Sequence, residues 1–148
     1  MKRFILLILI LLLVSCSPAA ETGINVAPIP TESPNIGAVV YAQECASCHG
    51  ANLEGQADWQ SSNEDGSLRS PPHDETGHTW HHPDSYILNR VLNGTADLSP
   101  DLQATSNMPA YKDKLTDAEI QAVIDFIKQS WPEEIQQMQA ERTAQADQ

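Results

Sequence analysis

Residues Cys45-Ala46-Ser47-Cys48-His49 set two thiols three positions apart, with an imidazole directly after the second. Three chemistries compete for that arrangement: a dithiol–disulfide couple, one corner of a zinc site, or a haem fixed through two thioethers. The redox motif normally has a strand before it and a helix behind it. Here Gly37, Tyr41 and Cys45 fall on a four-residue repeat, so the motif sits at the end of a helix. Zinc needs two further ligands. His73, His78, His81 and His82 leave zinc open by count, but no second Cys-x-x-Cys or finger-type His pair is present, and His49 has no role. Haem uses all three residues: two thiols on one helical turn reach two vinyl groups, and the adjoining imidazole faces the iron.

The N-terminus bears on the choice. Met1-Lys2-Arg3 precedes an unbroken apolar run from Phe4 to Val14. A positive start and a short apolar core describe a secretory signal, and the run falls short of the ~20 residues that span a bilayer. Leu13-Val14-Ser15-Cys16 resembles the lipobox of bacterial lipoproteins, which makes residues 1–15 a signal peptide and Cys16 the lipidated first residue. An ordinary signal cut near Ser17-Pro18-Ala19 is the alternative. Two or more acyl chains give stable anchoring, each buried methylene adding ~0.8 kcal/mol. The three cysteines are then spent, one on lipid and two in the motif, with none left for a structural disulfide. Export strengthens the haem reading, because c-type haem is attached outside the cytoplasm.

The chain carries 8 basic and 20 acidic residues. Loss of Lys2 and Arg3 with the signal leaves 6 against 20, a net charge of −14. Such a surface does not seek nucleic acid phosphates. It keeps the protein soluble and steers it towards basic partners.

Residues 16–34 read as a flexible tether, with prolines at 18, 28, 30 and 34 and nothing to bury. At about 3.3 Å per residue its contour reaches ~60 Å. The folded head spans 35–131. Ser33-Pro34 is expected to start the first helix, and Gly37 admits a second helix closely. Asn52 to His82 is loop-like. His82-Pro83-Asp84 opens a helix with an apolar stripe at Ile87, Leu88, Val91 and Leu92, stopped by Asn93-Gly94. A second loop runs to Tyr111. Thr116 and Glu119 form a capping box for a helix that buries Ile120, Val123, Ile124 and Ile127, with Trp131 one turn on. Pro132 then separates a C-terminal extension, 132–148, whose thin stripe of Ile135, Met138 and Ala140 predicts a short helix fraying into a polar end. No strand alternation or internal repeat is present. The fold class is all-α.

These residues resemble the class I cytochrome c family from about Ile36 to Trp131. Gly37 and Tyr41 match its Gly-x-x-x-aromatic, Thr116 to Trp131 its C-terminal helix, and Met108-Pro109 within "NMPAY" its distal methionine. The resemblance implies a cytochrome c-like helical fold around one covalent haem c. It makes Cys45 and Cys48 the thioether residues, His49 the proximal iron ligand and Met108 the distal one. Met108 also stands out by itself: Met1 leaves with the signal and Met138 lies in the tail, while Met108 sits in a proline-bearing loop able to fold back over a flat cofactor. A loop methionine packing on the core is the plainer alternative.

The segment Ser70 to Tyr86, "SPPHDETGHTWHHPDSY", resembles one in a subset of small bacterial monohaem cytochromes with a similar tail. In simpler members a proline carbonyl accepts a hydrogen bond from the proximal imidazole, fixing its tautomer. Pro72 is assigned to the site, with the choice between it and Pro71 left open. Trp59, Arg69 and Trp80, with some of the histidines, are expected near the haem propionates or at the Pro83 cap. A copper or zinc site on His73, His78, His81 and His82, replacement of Met108 by one of them, and solvated loop positions are the other readings.

The expected function is a lipid-anchored, monomeric one-electron carrier, exported and facing the periplasm or exterior from the cell or outer membrane. It would exchange electrons with an oxidase, reductase or photosynthetic complex. Substrate chemistry has no residues to carry it, so no enzyme is expected. The alternatives are a haem subunit of a membrane dehydrogenase or oxidase, and a copper-handling protein using the histidine loop.

Overall fold

The computed structural model describes residues 35–148 except Asp97. The N-terminal apolar run, Cys16, the tether and the Ser33-Pro34 start lie outside these residues. Among the described residues the regular elements are helices, with no strand beyond an isolated Ser62–Leu68 bridge. The fold is all-α. None of these helices is long and apolar enough to cross a membrane.

Helix α1 (Ile36–Val40) is capped by Asn35, whose Oδ1 accepts the Ala38 N–H at 3.3 Å. It runs through a π-helical turn (Tyr41–Cys45) into α2 (Ala46–His49). In the wide turn the Ala46 N–H reaches back five residues to the Tyr41 carbonyl, inserting one residue into the helical repeat. A long loop with a 3₁₀ turn at Thr79–His81 leads to α3 (Asp84–Asn93), which ends at Gly94. Ile87 is buried and Val91 and Leu92 pack against the core, but Leu88 faces solvent, which narrows the expected stripe. Within the expected second loop lies a short helix, α4 (Pro100–Thr105), with proline at its first position.

Helix α5 (Asp117–Gln129) starts as anticipated, both hydrogen bonds of the Thr116–Glu119 box being present. Its buried face of Ile120, Val123, Ile124 and Ile127 meets Val40, Tyr41, Leu53, Ile87 and Trp131 in one core. Each such side chain contributes about 1.5–3 kcal/mol by leaving water. Helices α1 and α5 cross closely, and α3 lies against α5.

Helix α6 (Glu133–Ala146) departs from expectation. It stays helical for 14 residues rather than fraying early. Met138 is 36% exposed, and the residue buried in full is polar: Gln139, at 0% exposure. Its Nε2 reaches Asp84 Oδ1 (2.7 Å), Thr143 Oγ1 (3.1 Å) and the His82 carbonyl (3.2 Å). Asp84 also pairs with Lys128 of α5 at 2.7 Å. Those bonds hold its carboxyl below the usual aspartate range against the opposing effect of burial.

Candidate metal centre

The motif hangs from the end of α2. Cys45 is half-buried and Cys48 exposed, both as free thiols. Burial, then the Glu44 carboxylate and Cys48, push the Cys45 thiol up to about 11. An attacking cysteine needs the reverse, a lowered pKa, so Cys45 is not set up for that role.

His49 is buried at the C-terminus of α2. Its Nδ1–H donates to the Pro71 carbonyl at 2.8 Å, an acceptor that fixes the tautomer and leaves the Nε2 lone pair for a metal. Burial lowers the imidazole pKa, partly opposed by that bond, and so favours the neutral form a ligand needs. Of the two prolines, Pro71 is the partner. Pro72, named for the site with that choice left open, is instead fully buried.

Sequence reasoning placed His73 only within a histidine-rich segment. The structure stacks its ring on His49, centroids 3.9 Å apart and planes 24° from parallel. Its N–H donates to the Leu53 carbonyl (2.7 Å) and its own carbonyl accepts from Trp131 Nε1 (2.7 Å). Its Nδ1 is buried with no partner among the described residues. Burial first, then the His49 and His78 imidazoles, push His73 well below the ordinary histidine value.

Two tyrosines brace the motif. Tyr41 packs on Phe126, and its hydroxyl donates to the Gly50 carbonyl at 3.0 Å, fixing the chain just past His49. Tyr111, which sequence reasoning used only as a loop boundary, donates its hydroxyl to the Glu44 carbonyl at 2.7 Å. Burial, then Cys45 and Glu44, push its pKa up to about 12, so it remains a donor. Lys114 pairs with the Glu44 side chain. The signal was available: an aromatic three residues after Met108, entering the capping box.

Met108 lies in the loop between α4 and Tyr111. The Tyr111 N–H bonds to the Val91 and Leu92 carbonyls (3.1 and 3.2 Å), and Lys112 N–H to Leu92 (3.2 Å), so the C-terminal turn of α3 holds this loop. Gly94 sits against its backbone.

The other histidines enter aromatic pairs: His78 with Trp59 (5.2 Å), His82 with Tyr86 (4.1 Å) and His81 with Trp80 (3.7 Å). Among the described residues no three His, Cys, Asp or Glu side chains converge on a metal-sized point, which gives the copper and zinc readings no support. Trp80 Nε1 donates to the Glu75 carbonyl (3.3 Å). Arg69 Nη1 donates to the Ala57 carbonyl (2.7 Å), while its Nε is buried without a partner among the described residues.

No curated protein and no solved structure matches the chain. A family model does: the one described as Cytochrome c, over residues 35–131.

Proposed function

Because the chain belongs to the cytochrome c family, an electron-transfer group with covalently attached haem c, we propose that it is a membrane-tethered one-electron carrier whose iron is held by His49 and Met108. Haem c supplies a single-electron ferric–ferrous couple. Cys45 and Cys48 would hold it as thioethers. The donor chemistry fits: two uncommitted thiols, a neutral imidazole with Nε2 open, and a buried Arg69 Nε suited to an anionic carboxylate. His49 would bind through Nε2, with the Pro71 carbonyl making the imidazole a stronger donor. Met108 would supply a thioether sulfur, a ligand that favours ferrous iron. These residues would position and insulate the haem rather than carry out substrate chemistry.

The observation that carries the ligation reading is the His49 Nδ1–H···O=C Pro71 bond, which presents one nitrogen to a metal and orients the ring. The lipobox-like Leu13-Val14-Ser15-Cys16 supports tethering outside the cytoplasm. The net charge of −14 after loss of Lys2 and Arg3 supports basic redox partners, with exchange slowing as salt rises.

Met108→Ala tests the distal ligand. Ferric wild-type protein is expected to show the weak red sulfur-to-iron band. The variant is expected to lose it, and its reduction potential to fall by roughly 0.1–0.3 V, within the about 0.8 V range set by axial ligands. A variant with an unchanged spectrum and potential removes Met108 from the iron.

A further inference from the structure

The backbone from Pro71 to Asp84 forms a strap against His49. Both groups found on that imidazole belong to it: the Pro71 carbonyl, which takes its proton, and the His73 ring, which stacks on its face. The strap contains little regular structure, only the 3₁₀ turn at Thr79–His81. Something must hold it in place.

The C-terminal end of the chain does so at three backbone points. Trp131 Nε1 donates to the His73 carbonyl at 2.7 Å. Gln139 Nε2 reaches the His82 carbonyl at 3.2 Å. Thr143 Oγ1 accepts the Asp84 N–H at 3.0 Å. That last contact is a helix cap supplied from 59 residues away, since Pro83 offers α3 no side-chain cap. Gln139 and Thr143 lie beyond the family-matched residues 35–131, on a helix with little apolar surface to bury. A polar side chain buried in full costs free energy unless it is bonded; two of the three Gln139 Nε2 contacts, to the His82 carbonyl and Asp84 Oδ1, end on the strap, while its Oε1 has no partner among the described residues.

We propose that α6 is a positioning element for the proximal ligand. Through Gln139 and Thr143 it fixes the strap, and the strap fixes the orientation and basicity of the His49 imidazole. The inference rests on His49 ligating the iron. Loosening the strap weakens the Nδ1–H bond to Pro71, the imidazole donates less, and ferric iron loses relative to ferrous.

The test uses the full haem-loaded chain, with Gln139→Ala, Thr143→Ala, the hydroxyl-retaining Thr143→Ser, and Met138→Ala as a control on the exposed side of the same helix. Three quantities are read: the ferrous-to-ferric ratio at fixed poise, exchange of the His49 Nδ1 proton with deuterium by NMR, and the thermal midpoint. Gln139→Ala and Thr143→Ala are expected to raise the ratio about two- to tenfold, tenfold being 59 mV for one electron. Both should speed the proton exchange. Thr143→Ser and Met138→Ala should match wild type in both. If Gln139→Ala does not accumulate with haem, Thr143→Ala, which deletes one hydroxyl and keeps Gln139, decides alone. Variants that lower only the thermal midpoint, with ratio and exchange at wild-type values, reduce α6 to a prop and overturn the proposal. The wild-type spectrum separates this from the ligation reading: without a histidine-ligated haem there, that reading fails first.

Discussion

Gly37→Val is expected to yield no haem-loaded protein, and Gly37→Ala to lower the thermal midpoint by roughly 10–20 °C. Helix α1 crosses α5 at Gly37 with no room for a side chain. A Cβ there would overlap the Ala122 carbonyl oxygen and lie 2.8 Å from both the Ala122 carbonyl carbon and the Phe126 Cβ. Two of those three atoms are helix backbone, which cannot rotate away, so the helices must separate. Overpacking typically costs about 1–3 kcal/mol and occasionally more. A collision with fixed helix backbone lies at or beyond the top of that range, about 3–4 kcal/mol, against which the better helix propensity of alanine returns about 1 kcal/mol. A net loss of about 2–3 kcal/mol is a large part of the 5–15 kcal/mol typical of a domain. For a domain of about 100 residues each kcal/mol moves the midpoint about 4–8 °C. Valine adds two methyl groups to the same collision. Thermal unfolding followed by far-ultraviolet circular dichroism reads the effect, and an alanine variant within a degree of wild type removes the close crossing from the account.

Gly94→Ala is expected to strip sulfur from the iron while leaving the haem attached. Gly94 ends α3 at φ +57° and ψ −120°, a region closed to residues with a side chain. A Cβ there would meet the Met108 carbonyl oxygen at 2.5 Å and the Pro109 carbonyl carbon and oxygen at 2.6 and 2.7 Å. The α3 terminus and the methionine loop touch backbone to backbone, so the substitution strains the turn and pushes the loop outward together. Arg90 Nη1 grips the Gly94 carbonyl at 2.8 Å, which resists relaxation on the helix side. The ferric sulfur-to-iron band should vanish and the potential fall as in Met108→Ala, with covalent haem still present. Gly66→Ala is the control: φ there is +84° but nothing lies within 4 Å of the added methyl. It should cost about 1–2 kcal/mol of strain and leave the spectrum alone. An unchanged band in Gly94→Ala separates the loop position from ligation.

Much of this arrangement is written in local signals. The Thr116–Glu119 box, the Asn93-Gly94 stop and the apolar face of α5 each act over one or two turns, and each forms as read. What escaped the sequence depends on partners distant in the chain or on bonds without a compositional mark. The π turn ending at Cys45 is a single inserted residue, and its amino acids carry no mark of it. Helix α4 did carry a mark, proline after serine, within a stretch too short for apolar periodicity to register. Docking of α6 was legible only in part: Ile135 of the expected stripe packs against the core, but an apolar pattern cannot find the contacts of Gln139 and Thr143. At the site, the spacing of Cys45, Cys48 and His49 reduced the chemistry to three readings, and the family match favours haem among them. Pro71 rather than Pro72 was not, since only the fold decides which carbonyl faces the ring. The stacking of His73 on His49 joins residues 24 apart through a loop of no regular pattern.

The claim beneath all of these is that the Cys45–His49 segment carries a porphyrin by covalent bonds. Intact-mass and peptide mass spectrometry of the chain, purified from a host competent in cytochrome maturation, measures this directly. The account predicts one haem added to the peptide containing Cys45 and Cys48, with colour that survives acid extraction. A colourless protein whose two cysteines both titrate as free thiols, or one that carries zinc at that segment, contradicts it.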